Sequence, residues 1–131
     1  MTVFALNPRS ERSSWIEIDT AALQGNIATL RGRLPASCRF MAVVKGNAYG
    51  HGSPIVARLA LECGAAMLGV ATVWEGSLLR AGGITAPIVI LSPTAPEQAR
   101  MIVENDLTPA VSSLSMALAL ADSGCRVHVK V

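Results

Sequence analysis

The feature that most constrains this fold is a regular alternation of short apolar segments with stretches of helical periodicity. An alternating segment at residues 15–18 comes first, and five further strand-like segments follow, at residues 40–44, 67–70, 88–91, 107–111 and 127–131. Strands that alternate with helices form parallel sheets through right-handed crossovers. Strands covered on both faces have continuous apolar runs, as in residues 40–44. The sequence therefore predicts an α/β fold with a parallel sheet.

Two closures of that sheet fit the pattern: a doubly wound open sheet, or part of a (β/α)8 TIM barrel. A complete barrel takes about 250 residues, and this chain has 131. The last segment places Val127, Val129 and Val131 on one side, with no helix after it. Natural domains seldom end on such a strand, so the pattern indicates a truncated fold and leaves both closures open. A flexible arm is expected at residues 1–13.

Composition excludes several other classes of protein. With 51% hydrophobic and 15% charged residues, the chain is not disordered. A net charge of +2 gives no reason to expect a nucleic-acid partner, and no charge-free stretch is long enough for a membrane span. The first 14 residues show no signal-peptide pattern, which predicts a cytoplasmic location. The three cysteines lack metal-ligand spacing, so no metal is expected.

Helix boundaries are marked by capping residues. Asp19 or Thr20 is placed to cap the first helix, and Ser53 the second, which Gly64 would end in the left-handed conformation. Thr94 and Glu97 have capping-box spacing ahead of a later helix. Ser113 would cap the last helix, whose predicted inward residues are Leu114, Ala117, Leu118 and Ala121.

Lys45 is the first candidate for chemistry, because it directly follows the apolar strand at residues 40–44. Parallel α/β folds place their active sites at the carboxyl ends of strands. Partial burial there would favour the neutral amine, which is a nucleophile. Alternatively, Lys45 extends into solvent at a strand end and has no chemical role.

The segment after Lys45 supports the chemical interpretation. Three glycines stand among the seven residues 46–52, so the backbone can approach a ligand closely or adopt positive φ. Tyr49 supplies a hydroxyl on a loop that leads into a capped helix, a suitable setting for a phosphate; a packing role for Tyr49 is equally compatible. His51 is expected to orient the loop rather than to transfer protons.

The segment Ala42-Val43-Val44-Lys45-Gly46-Asn47-Ala48-Tyr49-Gly50-His51-Gly52 closely resembles the pyridoxal-phosphate attachment signature of bacterial alanine racemases. The resemblance extends over residues 14–131 and implies that they form the N-terminal half of a (β/α)8 TIM barrel, truncated after its fifth strand. It includes the opening segment 15–19, the stretch 82–91 that leads into the family's third barrel strand, and residues 127–131, which precede the family's D-T-G-M segment.

The resemblance implies roles for four residues. Lys45 would bind pyridoxal 5'-phosphate covalently and act as one of two catalytic bases, and Tyr49 would hydrogen-bond the cofactor phosphate. Leu91 occupies the position of an apolar residue that packs near the cofactor ring. Lys130 matches a lysine that is carbamylated in some members, where the added carboxylate orients an arginine.

The chain departs from the family pattern at two points. Gly46 stands where the family usually has alanine, which we expect to loosen the loop with small effect. The family's arginine, its further phosphate-binding residues and its second base, a tyrosine of the C-terminal β domain supplied by the partner subunit of a dimer, lie beyond residue 131. These 131 residues alone are therefore expected to have little racemase activity, and to aggregate or dimerise through open sheet edges.

The resemblance thus predicts an isomerase that racemises alanine and supplies D-alanine for peptidoglycan. A serine racemase or a broad-specificity amino-acid racemase shares the signature. A non-catalytic pyridoxal-phosphate-binding barrel has a different lysine context, and a structural fragment that binds no cofactor is the remaining alternative. Absorbance of the bound cofactor that is lost on Lys45→Ala would exclude the last of these.

Overall fold

The computed structural model describes residues 16–131. The predicted arm at residues 1–13 lies outside these described residues, as does Trp15. By their contacts the residues form two units, the first ending at Cys38 and the second spanning Arg39–Val131.

Within its described residues, 16–38, the first unit contains one helix, α1 (Thr20–Arg31). Asp19 caps it, because a carboxylate oxygen accepts a hydrogen bond from the Ala22 N–H at 3.0 Å. The predicted strand before it is wrong in its described part, since residues 16–18 have no strand structure. Alternation over only four residues is too short a signal to fix the bounds of a strand, and an isolated β-bridge falls on the next residue, Asp19.

The second unit is built on a five-stranded parallel sheet in the order β1-β2-β3-β4-β5. Its strands are β1 (Met41–Val43), β2 (Met67–Val70), β3 (Ile88–Ile90), β4 (Thr108–Val111) and β5 (His128–Val129). A doubly wound sheet reverses its strand order at a switch point. Here each strand pairs with the next one in the chain, so the sheet winds in one direction. That is the order of a (β/α)8 barrel, and it decides between the two predicted closures.

Helices connect the strands as the sequence pattern predicts. The bounds are α2 (Lys45–Tyr49), α3 (Ser53–Glu62), α4 (Val73–Ala81), a 3-10 turn at Pro96–Gln98, α5 (Ala99–Glu104) and α6 (Leu114–Leu120). The 3-10 turn leads directly into α5. The short element α2 directly follows β1 and differs from the other helices because its residues 46–49 have positive φ.

The two faces of the sheet differ in what covers them. On one face, Leu68 and Val70 of β2 and Ile88 and Ile90 of β3 are fully buried in the hydrophobic core, together with residues of the helices. On the other face, Gly69 leaves space for its neighbours. A Cβ there would come within 2.9 Å of Met41 Sδ, 3.1 Å of Leu91 Cδ1 and 3.3 Å of Val43 Cγ2. Because side chains alternate along a strand, these residues lie on the face opposite the core.

Two predicted helix starts are wrong. Ser53 is the first residue of α3 rather than its cap: the cap position is Gly52, and the Asn47 side chain accepts a hydrogen bond from the Ser53 N–H at 2.9 Å. Thr94 and Glu97 form no capping box, because the Ala95 N–H donates to Gln98 Oε1 instead. In both cases a competing residue nearby supplies the oxygen. The predicted left-handed residue Gly64, with φ of 90°, is confirmed.

The inward face of α6 is also different from the prediction. Ser113 caps the helix as predicted. However, Met116 and Leu120 are the buried residues, while Leu114 and Leu118 are 75% and 66% exposed. The helix has apolar residues on nearly all sides, so periodicity alone could not select the buried pair.

Arg80 joins α4 to two neighbouring loops, a role that nothing in the sequence indicated. Its guanidinium donates to the carbonyl oxygens of Ile84 (2.8 Å), Ala86 (2.7 Å), Asn105 (2.9 Å) and Asp106 (2.8 Å). The Arg80 side chain is only 15% exposed. It therefore fixes the loops that lead into β3 and β4.

None of the helices formed by residues 16–131 has the length and apolarity that a membrane crossing needs.

Candidate active site

The candidate site lies at the carboxyl end of the sheet, where β1 passes into α2. The Val44 N–H continues the strand ladder by donating to the Gly69 carbonyl oxygen at 2.8 Å, and Val44 itself is buried. Lys45 follows immediately and is exposed. Of the two environments considered for Lys45, partial burial and extension into solvent, the structure shows the exposed one.

The segment after Lys45 is one turn of left-handed helix rather than an open loop. Gly46, Asn47, Ala48 and Tyr49 have φ values of 59°, 54°, 54° and 56°. For residues other than glycine, this conformation costs roughly 1–2 kcal/mol each. Consecutive residues in a strained conformation persist only where the surrounding structure enforces it, and such strain concentrates at functional sites.

Three sets of contacts hold this turn. The Ala48 N–H donates to the Val44 carbonyl oxygen at 2.9 Å, and Ala48 is buried in the core. Asn47 closes the far end, because its carbonyl oxygen accepts from the Gly52 N–H while its side chain caps α3. His51 Nδ1 lies 3.0 Å from the Ala48 carbonyl oxygen, which supports the loop-orienting role predicted for this histidine.

Gly46 reduces the strain at the start of the turn. A Cβ at this position would meet no atom within 4 Å, so its only cost would be the backbone conformation. The structure thus changes the expectation that glycine merely loosens the loop: at φ of 59° it avoids a penalty that alanine would carry.

We therefore expect Gly46→Ala to lower the free energy of unfolding by about 1 kcal/mol. Gly25→Ala is the matched control, because Gly25 lies inside the right-handed helix α1 and its added Cβ also meets nothing within 4 Å. That control should raise stability by about 1 kcal/mol. Urea denaturation of both variants measures the difference. An unchanged or raised stability for Gly46→Ala would contradict the left-handed assignment.

A carboxylate that the sequence analysis did not select also contacts this segment. Glu75, in the first turn of α4, accepts a hydrogen bond at Oε1 from the Gly46 N–H at 2.7 Å. Its other oxygen accepts from the Ala71 and Thr72 N–H groups at 2.7 and 3.1 Å. The spacing Thr72-x-x-Glu75 is a capping-box signal that could have been found in the sequence. The contact with Gly46 had no local signal.

The remaining predicted site residues also follow the carboxyl ends of strands. Tyr49, at the end of the turn, is 66% exposed. Leu91 follows β3 on the sheet face that it shares with Val43, and its N–H donates to the Val70 carbonyl oxygen. Lys130 follows β5, where its N–H donates to the Val111 carbonyl oxygen at 2.9 Å. The structure thus places these residues at the carboxyl ends of the strands.

Lys45 and Lys130 stand at opposite sides of the described sheet. They follow β1 and β5, the two edge strands of the described sheet, which are four strand spacings apart. At about 4.8 Å per spacing, this amounts to about 19 Å along the sheet. The site therefore centres on Lys45 and Tyr49, with Leu91 two strands away.

Cys125 is set apart from this chemistry by its surroundings. Its thiol donates to the Leu107 carbonyl oxygen at 3.4 Å. Burial, and to a lesser extent the negative charge of Asp106, raises the pKa of the Cys125 thiol. The thiolate, which is the nucleophilic form, is therefore disfavoured at neutral pH.

The residues present fit an aldehyde cofactor that carries a phosphate. A primary amine condenses with an aldehyde, and the Lys45 amine is exposed at the strand end. Open space lies above Gly46 and Gly50, where an added Cβ would meet nothing within 4 Å. The exposed Tyr49 hydroxyl is a hydrogen-bond donor suited to a phosphate oxygen. Together these groups supply the attachment point, the space and one polar contact.

Comparison with known proteins identifies similar chains. Residues 18–131 match the family described as "Alanine racemase, N-terminal domain". The chain is 44% identical over 127 residues to the alanine racemase of Nostoc sp.. The matched region covers 90% of this chain and 33% of the Nostoc protein.

Solved structures agree in fold. The alanine racemase of Bacillus anthracis superposes with a TM-score of 0.82 at 38% identity, covering 89% of this chain and 31% of that one. A histidine racemase from Leuconostoc mesenteroides gives a TM-score of 0.71 at 34% identity, covering 80% and 29%. The chain thus spans about a third of the length of the proteins it matches.

Proposed function

The chain belongs to the alanine racemase family, and from that premise we propose that it contributes the cofactor-attachment half of a barrel that racemises alanine. Residues 14–131 are the proposed barrel portion. The observation that carries the proposal is Lys45, whose exposed amine stands at the carboxyl end of β1, directly before a strained left-handed turn. The resemblance places the attachment lysine of the family at this position.

Lys45 has two proposed tasks. Its amine would hold pyridoxal 5'-phosphate until the amino group of the substrate displaces it, and the freed amine would then accept and return a proton at Nζ. When bound, pyridoxal phosphate delocalises the electron pair that remains after the Cα–H bond of the amino acid is broken. An amine at a fixed strand end can then exchange a proton with one face of that planar carbon.

Racemisation requires a second acid/base group on the opposite face, because one fixed amine cannot serve both faces. The family supplies that group as a tyrosine of the C-terminal β domain, from the partner subunit of a homodimer. We therefore propose that the activity belongs to a homodimer in which this chain provides the Lys45 face.

Tyr49 and Leu91 are proposed to orient the cofactor. The Tyr49 hydroxyl donates a hydrogen bond to the phosphate, and the strained turn fixes its Cα relative to Lys45. Leu91 provides an apolar surface near the cofactor ring, from the sheet face that it shares with Val43. Lys130 is proposed as a carbamylation site, where an added carboxylate would orient a cation. Its position at the carboxyl end of β5, beside the ends of the other strands, supports this role.

The proposed reaction is the conversion of L-alanine to D-alanine, with D-alanine used in peptidoglycan, in the cytoplasm. A racemase of another amino acid, such as serine or a broader set, is the second candidate. One observation favours keeping it: the similarity to a histidine racemase shows that this part of the fold occurs with a different substrate.

The test uses the complete product of the gene, supplied with pyridoxal phosphate and assayed with L-alanine, L-serine and L-histidine in parallel. Chiral chromatography measures the D-enantiomer formed. We expect D-alanine to form fastest. Faster conversion of serine or histidine would replace the proposed substrate. Cofactor bound at Lys45 with no conversion of any amino acid would instead indicate a non-catalytic cofactor-binding barrel.

A further inference from the structure

The Glu75 carboxylate connects the two segments that follow the carboxyl ends of β1 and β2. Through Oε2 it accepts hydrogen bonds from Ala71 and Thr72, which lie between β2 and α4. Through Oε1 it accepts a hydrogen bond from Gly46, 29 residues earlier and directly after Lys45. Glu75 is partly buried. A single side chain thus ties the end of β1 to the end of β2.

Capping α4 explains only part of this arrangement. In a capping box, the acidic side chain accepts from the backbone of the cap residue, while the Thr72 hydroxyl accepts from the Glu75 N–H, here at 3.2 Å. Neither contact needs Oε1. The bond from Gly46 is short, at 2.7 Å, and its acceptor is charged, which makes it one of the stronger hydrogen bonds at this edge.

This bond acts on Lys45 through the backbone. The Gly46 N–H belongs to the peptide that joins Lys45 to Gly46, so holding it fixes ψ of Lys45. On the preceding side, the peptide that joins Val44 to Lys45 is held at the Val44 carbonyl oxygen, which accepts a hydrogen bond from the Ala48 N–H at 2.9 Å. With the backbone fixed on both sides, the Cα–Cβ bond of Lys45 has one direction relative to the sheet. Because the Lys45 side chain is long and exposed, the fixed direction of its Cα–Cβ bond limits where the amine can lie.

We propose that Glu75 is a positioning residue for Lys45: by binding the Gly46 N–H, it sets the direction in which the amine leaves the strand. This inference rests on the proposed function of Lys45 as the cofactor-attachment residue. Glu75 itself touches neither the amine nor a substrate in this role.

Two variants separate positioning from helix capping. Glu75→Gln keeps one acceptor oxygen, and glutamine is itself a common capping-box residue, so we expect the bonds from Ala71 and Thr72 to remain. Its NH2 group cannot accept from the Gly46 N–H, so that contact is lost. Thr72→Ala is the matched control, because it removes the hydroxyl cap of the same helix end and leaves the Glu75–Gly46 contact intact. Both variants should lose similar amounts of stability.

The first measurement is amide hydrogen exchange at Gly46, followed with selectively 15N-labelled glycine in the protein without cofactor. Glu75→Gln should speed exchange at Gly46 about tenfold or more, and Thr72→Ala should leave it within about twofold. The wild-type amide should itself exchange at least about tenfold more slowly than an unstructured glycine. Rapid exchange in the wild type would overturn the proposal even if neither variant folds.

The second measurement is the rate at which borohydride traps pyridoxal phosphate on Lys45. We expect a rate about tenfold lower in Glu75→Gln and unchanged within about twofold in Thr72→Ala. Trapping at wild-type rate in Glu75→Gln would overturn the positioning role and leave the proposed function intact. An equal loss of trapping rate in Glu75→Gln and Thr72→Ala would also overturn it, since it would indicate that Glu75 acts only by capping α4. Absence of trapping in the wild type would overturn the proposed function and this inference with it.

Discussion

Lys45→Ala is expected to reduce exchange of the alanine Cα proton by about 10³-fold or more. The variant loses both the amine that binds the cofactor and the group that moves the proton. Lys45→Arg should be equally inactive, because a guanidinium keeps the positive charge but stays protonated and does not condense with an aldehyde. The measurement is deuterium incorporation into alanine from D2O, read by mass spectrometry, with the complete gene product and pyridoxal phosphate.

This assay detects proton exchange even where inversion does not occur. Exchange needs only one acid/base group, whereas inversion needs two, so deuterium can enter without racemisation. Arg58→Ala is the control, because it removes one exposed cation that contacts only the Gly82 carbonyl oxygen in the described structure. It should exchange protons at the wild-type rate. Substantial exchange in Lys45→Ala would show that another group moves the proton.

Arg80→Ala has the largest expected effect on stability, a loss of about 3 kcal/mol in the free energy of unfolding. The change leaves four carbonyl oxygens, those of Ile84, Ala86, Asn105 and Asp106, without their donor. The ion pair with Asp106 contributes little, because its atoms are 3.8 Å apart and the Asp106 side chain is 83% exposed. Arg80→Lys should recover only a minor part of the loss, because lysine lacks the planar fork that reaches several acceptors at once.

Urea denaturation measures these losses, and Arg58→Ala again serves as the control. Arg58 makes one hydrogen bond to a carbonyl from an exposed position, so we expect its removal to cost less than about 1 kcal/mol. Equal losses for Arg58→Ala and Arg80→Ala would contradict the bridging role of Arg80.

The parallel α/β class could be predicted from the sequence because the pattern repeats. Residues 67–70 and 88–91 read as buried strands and form β2 and β3, and Gly64 and Ser113 mark helix ends where they were expected. These signals are local, since each depends on a residue and its near neighbours. The strand order that decides for a barrel is not local, and it emerged only from the pairing of the strands.

The site could be predicted only in part, for the same reason. Lys45 and Tyr49 were found because a strand end and a glycine-rich segment are visible in the sequence. The left-handed turn was missed, since Asn47 and Ala48 adopt positive φ under contacts from Val44 and Ser53 that propensity does not describe. Glu75 was missed because its contact with Gly46 joins residues 29 positions apart.

The most direct test of the account is to locate the lysine that binds the cofactor. The 131 residues contain two lysines, Lys45 and Lys130, which peptide mapping distinguishes after borohydride reduction with pyridoxal phosphate. We expect the label on the peptide that contains Lys45, with Lys130 unlabelled. A complete gene product that binds the cofactor while Lys45 stays unlabelled would contradict it.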